Sequence, residues 1–256
     1  MDEPTGKVTL ANAEEYCPGI SLDCVIFGFH EGSLKVLLNK FTTYSKWMLP
    51  GGFIYKEEDV DDAAARTLVS RTGLANVYLR QFYLFGDVKR TSITENEDLM
   101  VRQGFGLEEK HISEWFLQRF FSIGYYAFVE YGKATLQSNI DENVTWFDLN
   151  DIPPLYADHN CIIEKAISNI RSQLNSIPIG YELLPEKFTL TQLRIIYETI
   201  LGEKLDRRNF QRKILSAGLV CKLDEVYKKW GQKSSALYSF DKQKYKDAIK
   251  NGIPVF

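Results

Sequence analysis

The chain has few of the residues that carry chemistry unaided. Of its 256 residues only 4 are cysteine and 3 histidine. Cys17, Cys24, Cys161 and Cys221 are scattered with no C-x-x-C pair. That spacing argues against a zinc ribbon or dithiol redox motif and predicts free, buried or half-buried thiols in a cytoplasmic protein. No run of about eighteen apolar residues occurs, so no membrane span is predicted. The opening residues, MDEPTGKVTLANAEEY, lack the basic-then-apolar order of a secretion signal. No internal repeat or low-complexity tract is present. Apolar residues make up 45% and charged residues 25%, an ordinary globular balance for one large domain or two small ones.

The charge is unevenly shared. Residues 186–250 hold 15 Lys or Arg against 8 Asp or Glu, a net of +7, and the rest of the chain carries −10. An acidic body with a basic tail fits a tail that meets a polyanion; a solvated basic surface is the plainer alternative.

The patterning predicts an α+β chain. Residues 21–29 and 34–41 read as a hairpin around HEGS, and 47–53 (WMLPGGF) as a loop forced by Pro50 and two glycines. Residues 60–72 read as a helix with Val60, Ala63, Ala64 and Leu68 in one stripe and Gly73 after its end. A strand follows at 77–88. TSITENED reads as a loop, and 107–121 has helical spacing at Ile112, Trp115 and Phe116. Strands at 123–132 and 144–149 precede an amphipathic helix over 160–174. Residues 1–175 thus form a first domain, 176–188 a proline-bearing linker and 189–256 a second domain. There Thr189-Leu-Thr-Gln192 fits a capping box, Asp206 caps a second helix, and strands at 219–223 and 236–240 flank a lysine-rich loop. Helix, turn, helix, strand, basic loop, strand is the order of a winged helix-turn-helix.

What the first domain lacks is more telling still. Residues 51–74, GGFIYKEEDVDDAAARTLVSRTGL, resemble the Nudix pattern G-x5-E-x7-R-E-U-x-E-E-x-G-U, with U a bulky apolar residue. Gly52, Glu58, Arg66, Leu68, Gly73 and Leu74 fall on it. The three later glutamates are Thr67, Ser70 and Arg71. Those positions stand at i, i+3 and i+4 and share one helix face. Glutamates there would hold a divalent cation, which needs hard oxygen ligands. Arg71 would repel it, and Glu58 is placed to brace the loop by pairing with Arg66. No metal and no cofactor are therefore expected. WFDLNDIPPLYADH and the segments FGDVKR and RFFSIGYYAFVE also resemble parts of Nudix domains. A cleft without its acids can still bind. Lys46, Trp47, Phe53, Arg90, Arg119 and Tyr125 are candidates to contact a phosphate or sugar. The structural alternative is core packing for Trp47, Phe53 and Tyr125, and an ion pair for Arg90. His159 reads as a hydrogen-bonded loop histidine rather than a base.

In the second domain, RRNFQRK suits a recognition helix. Phe210, Ile214 and Ala217 cluster on one side; Arg208, Gln211 and Arg212 point away, with Arg207 at the edge. Arginine can bind guanine and Asn209 or Gln211 adenine, each bidentately. Lys213 and Lys233 are candidates for phosphate contacts. Leu215 falls inside the polar arc. It could pack under the wing or touch a thymine methyl.

The whole pattern resembles the Nudix-related transcription regulators. FTLTQLRIIYETILGEKLDRRNFQRKI is similar to that family's winged-helix segment, and the likeness spans residues 20–245. The family joins a Nudix-like α/β/α sandwich to a winged helix-turn-helix and controls NAD synthesis or arabinose use. It implies a ligand-responsive regulator in the cytoplasm, with an operator in double-stranded DNA, a sugar or ADP-ribose-like effector and a homodimer. The chain departs from the family between Arg90 and Arg119, which a long insert separates. A second reading is a magnesium-dependent Nudix hydrolase that uses Glu108, Glu109 or Glu114 of the insert. A third is a scaffold with neither turnover nor ligand.

Overall fold

The computed structural model describes residues 10–103, 110–133, 142–174, 179–227 and 234–251. The chain divides into two compact units. The first comprises residues 1–27, 35–128 and 134–166, and the second 28–34, 129–133 and 167–256.

Mainly in the first unit lie strands β1 (Tyr16–His30), β2 (Ser33–Phe41) and β3 (Gly51–Tyr55), followed by helix α1 (Val60–Thr72) and strand β4 (Arg80–Phe85). Helices α2 (Ile93–Arg102) and α3 (Lys110–Leu117), strands β5 (Phe121–Val129) and β6 (Glu142–Asp148), and helix α4 (His159–Gln173), whose residues from 167 on belong to the second unit, complete the series. The six-stranded sheet runs β4-β5-β1-β2-β6, with β3 paired to β1. The consecutive apolar residues Cys24, Val25, Ile26 and Phe27 are all buried, because β1 lies inside the sheet and both its faces are covered. Helix α1 buries Ala63, Ala64, Thr67, Leu68, Arg71 and Thr72 and stops where Gly73 takes φ 76°. That left-handed conformation costs a glycine nothing.

Two expectations fail here. Residues 51–53 of the expected loop belong to strand β3, pairing Ser21 with Phe53, Leu22 with Gly52 and Asp23 with Gly51. The reason is close approach. A Cβ on Gly51 would stand 2.5 Å from Asp23 Oδ1, and one on Gly52 2.8 Å from Thr67 Oγ1. The glycines let the strand lie against β1 and α1, rather than turn it. TSITENED is also no loop: from Ile93 it begins α2. Its polar start hides the helix. Burial of Asn96, Leu99 and Met100 at helical spacing holds it.

The second unit holds α5 (Leu190–Leu201), α6 (Arg207–Ser216), the antiparallel pair β7 (Val220–Tyr227) and β8 (Ser235–Phe240), and α7 (Lys242–Asn251). The capping box is present: the Gln192 N–H donates to Thr189 Oγ1 at 3.2 Å, and the Thr189 N–H to Gln192 Oε1 at 2.8 Å. Leu193, Ile196, Tyr197 and Ile200 face inward. Helix α7 was not expected. It forms by burying Tyr245 and Ala248. Among the described residues no helix is long and apolar enough to cross a membrane. Cys24 is buried and Cys17 half-buried, but Cys161 and Cys221 are exposed, against the expectation of sheltered thiols.

Candidate functional site

The glycine-helix segment behaves as a brace. Arg66 donates to both Glu58 oxygens, at 2.6 and 2.7 Å, and to the Phe53 carbonyl at 2.8 Å. The Tyr55 N–H donates to Glu58 Oε2 at 3.2 Å. Burial pushes the Glu58 carboxyl up, but the bonds from Arg66 and Tyr55 outweigh it and hold the group below the usual carboxylate range. The expected Glu58–Arg66 pair is thus in place, holding the loop before α1.

The face where a working box carries acids holds a neutralised cation. Arg71 is buried and forms an ion pair with Glu142 of β6, and its Nε donates to the Gly51 carbonyl at 3.2 Å. The Asn39 amide donates to the other Glu142 oxygen at 3.2 Å. Thr67 is buried with no partner for its hydroxyl among the described residues, and Ser70 Oγ donates to the Thr67 carbonyl at 3.1 Å. A divalent cation does not fit these residues. Among the described residues no cluster of three or more His, Cys, Asp or Glu stands ready to hold one. Glu114 is exposed on α3, while Glu108 and Glu109 lie outside the described residues.

Beside this pair opens a cavity of about 450 Å³. A second charge cluster forms part of its lining. Arg90 donates to both oxygens of Asp158, at 3.1 and 3.0 Å, and lies 3.6 Å from Asp23. Ser122 Oγ donates to Asp23 Oδ2 at 2.5 Å, and His159 Nε2 stands 3.4 Å from Asp23 Oδ1. The Leu49 N–H donates to His159 Nδ1 at 2.9 Å, so the ring proton sits on Nε2, toward Asp23. Burial holds the His159 pKa below its ordinary value against the pull of Asp23 and Asp158, and the ring is neutral at pH 7. The sequence predicts a hydrogen-bonded loop histidine; His159 makes that bond but opens α4 instead of lying in a loop.

Of the six ligand candidates, Phe53 and Arg90 line the cavity. The others are engaged elsewhere. Lys46 pairs with Glu95 at 2.5 Å. Trp47 meets Phe147 edge-on at 4.8 Å. Arg119 donates to the Gly86 carbonyl at 2.6 Å and covers Phe121. Tyr125 is in the core, its hydroxyl donating to Asp61 at 2.6 Å. Sequence reasoning missed Asn96, Leu99, Met100, Arg102 and Gln103 of α2 and its end, all of which line the cavity. The helical spacing of Asn96, Leu99 and Met100 was the available signal.

The second unit presents a polar helix face. In α6 only Phe210 and Ile214 are buried, while Arg207, Arg208, Asn209, Gln211, Arg212 and Lys213 are exposed. Leu215 is exposed as well, 41% accessible. The Asn209 N–H donates to the Asp206 side chain at 2.8 Å, and Arg212 donates to Asn209 Oδ1 at 3.1 Å. Lys233 lies outside the described residues, as do Lys228 and Lys229. Buried Glu198 orders the turn between α5 and α6, accepting from Arg194 at 2.6 Å, the Leu205 N–H at 2.9 Å and Lys204 at 3.4 Å. Burial pushes its carboxyl up, but the Leu205 N–H and the cations of Arg194 and Lys204 outweigh this and lower its pKa. Its contribution is present above about pH 4.3 and fades as pH falls through the lowered value. Glu198→Ala is expected to cost about 2 kcal/mol in urea unfolding at pH 7.

Comparison with known proteins follows these two halves. The model of the NUDIX domain matches residues 18–166, and that of the NrtR DNA-binding winged helix domain residues 180–240. The ADPR responsive transcriptional repressor NtrR of Acinetobacter baylyi is 28% identical over 235 residues, covering 89% of this chain and 84% of that one. Shewanella oneidensis NrtR in complex with a 27mer DNA has a similar fold, with TM-score 0.68, 23% identity, and coverage of 89% of this chain and 95% of that one. A MutT/nudix family protein from Enterococcus faecalis superposes with TM-score 0.62 and 20% identity, over 88% of this chain and 87% of that one.

Proposed function

We propose, from the fact that this chain belongs to the Nudix family and carries a second domain of the NrtR winged-helix type, that it is an effector-responsive, DNA-binding transcription regulator. Its Nudix unit holds a small molecule without hydrolysing it. The observation that carries the reading is helix α6, a capped helix that keeps two side chains inside and turns its arginines, Asn209, Gln211 and Lys213 outward. That is the requirement for reading base edges in a major groove. The loss of a cation site around Arg71 supports binding over turnover. The likeness to an ADPR responsive repressor along most of the chain supports ADP-ribose, or a related nucleotide sugar, as the effector. Helix-turn-helix proteins commonly bind paired half-sites as dimers, so a homodimer acting on double-stranded DNA in the cytoplasm completes the proposal. A ligand controls such a protein only by binding its DNA-competent and incompetent states unequally.

The effector half is tested by melting. ADP-ribose at a hundred times its dissociation constant is expected to raise stability by about 2.7 kcal/mol, without turnover in magnesium. Absence of a shift with ADP-ribose, NAD and free pentoses would remove the effector. Sustained magnesium-dependent release of AMP from ADP-ribose would make the first unit a hydrolase.

A further inference from the structure

Helices α2 and α3, which lie in the connection from β4 to β5, make one wall of the cavity. The wall is pinned to the segment between β2 and β3. Lys46 pairs with Glu95 at 2.5 Å, Tyr44 donates to the same carboxylate at 3.4 Å, and the Gln103 amide donates to Thr43 at 3.1 Å. Its inner side is apolar and adaptable: Phe53 and Phe116 pack against the cluster of Met100 and Ile112, and Phe116 also against that of Tyr44, Met48 and Leu99. Phe53 of β3 and Phe116 of α3 stand edge-on with ring centroids 6.5 Å apart.

The charged part of the lining is already compensated. Arg71 is held by Glu142, and Arg90 by Asp158 and Asp23, with all five carboxylate and guanidinium groups of these three ion pairs largely shut from water. Opening either pair to admit a phosphate would leave a buried carboxylate unpaired, which is costly. Arg102 differs. It ends α2, its side chain is 49% accessible, and its partner Asp98, 2.8 Å away on the same helix, is 47% accessible. Such a pair is weak and readily exchanged for an anion.

We propose that α2 and α3 select the effector. The flat, uncharged end of a nucleotide enters beside Met100, Phe116 and Phe53, and its phosphates remain at Arg102. Aromatic rings and a methionine accept any planar face, while a half-exposed guanidinium binds phosphate in a salt-sensitive way. This rests on the effector reading above and assigns the ligand's direction within the same site.

Calorimetric titration of the full chain with ADP-ribose, at low and high salt, tests it. Arg102→Glu is expected to weaken binding at least tenfold at low salt and to flatten its salt dependence. Phe116→Ala is expected to weaken it at least tenfold while keeping the wild-type salt dependence. Met100→Trp fills the wall and is expected to abolish binding. Phe116→Ala and Arg102→Glu keep the test intact if that variant fails to melt cooperatively. A loss below tenfold in either of those two, or the same salt dependence in both, overturns the assignment. A wild-type protein that binds no ADP-ribose overturns the effector reading instead.

Discussion

Arg208→Ala combined with Arg212→Ala is expected to abolish specific binding to the protein's own promoter fragment while leaving the melting temperature unchanged. Both side chains are exposed on α6, away from the buried Phe210 and Ile214, so their removal opens no cavity. Each well-placed arginine–guanine contact contributes about 1–3 kcal/mol of discrimination. Losing two therefore costs about 2–6 kcal/mol, at least about thirtyfold in specific affinity. The expected signature is selective, with binding to a scrambled fragment falling less than binding to the promoter. Lys213→Ala, by contrast, is expected to weaken both fragments alike, as a phosphate contact does. A mobility-shift titration at fixed salt decides. If the double variant retards the promoter fragment as the wild type does, α6 is not the reading helix.

Glu142→Ala is expected to produce the largest loss of stability in the first unit, about 3–5 kcal/mol, because it strands a buried guanidinium. Arg71 is 9% and Glu142 5% exposed, so water cannot replace the lost partner. Replacing both, Arg71→Met with Glu142→Leu, removes the charges together and is expected to cost less than Glu142→Ala, the remaining loss of about 1–3 kcal/mol coming from the Asn39 amide left without its acceptor. Urea unfolding of the single and double variants measures the difference. Equal losses in both would mean that packing rather than charge ties α1 to β6. The same ion pair bears on Arg71→Glu, which restores one box carboxylate but sets it against Glu142. That substitution is expected to unfold the cleft rather than revive a metal site.

Several of these features were legible along the chain. The stripe Ala63, Ala64, Leu68 and the following Gly73 located α1, since periodicity and a left-handed cap are local. Thr189 and Gln192 announced α5, and Asp206 announced α6, because capping bonds reach only three residues. The spacing from Glu58 to Arg66 gave their pairing. Lys46, Trp47, Arg119 and Tyr125 were less transparent. Cation and aromatic side chains suit a ligand and a protein partner equally, and their partners Glu95, Phe147, Gly86 and Asp61 are remote in sequence. Helix α2 escaped because its first turns are polar, and its stability comes from Leu99 and Met100 reaching a core elsewhere.

The sequence by itself determined that the chain pairs a Nudix frame without its acids with a basic winged helix. Those features are spacings and residue identities, and they survive unfolding. Only the tertiary structure decided what became of the vacated cleft. Glu142 lies 71 residues from Arg71, and no local pattern links them. Their pairing, the Asp23–Arg90–Asp158 cluster and the wall from α2 and α3 depend on strand order and on burial, which raises the cost of an unpaired charge enough to fix its partner.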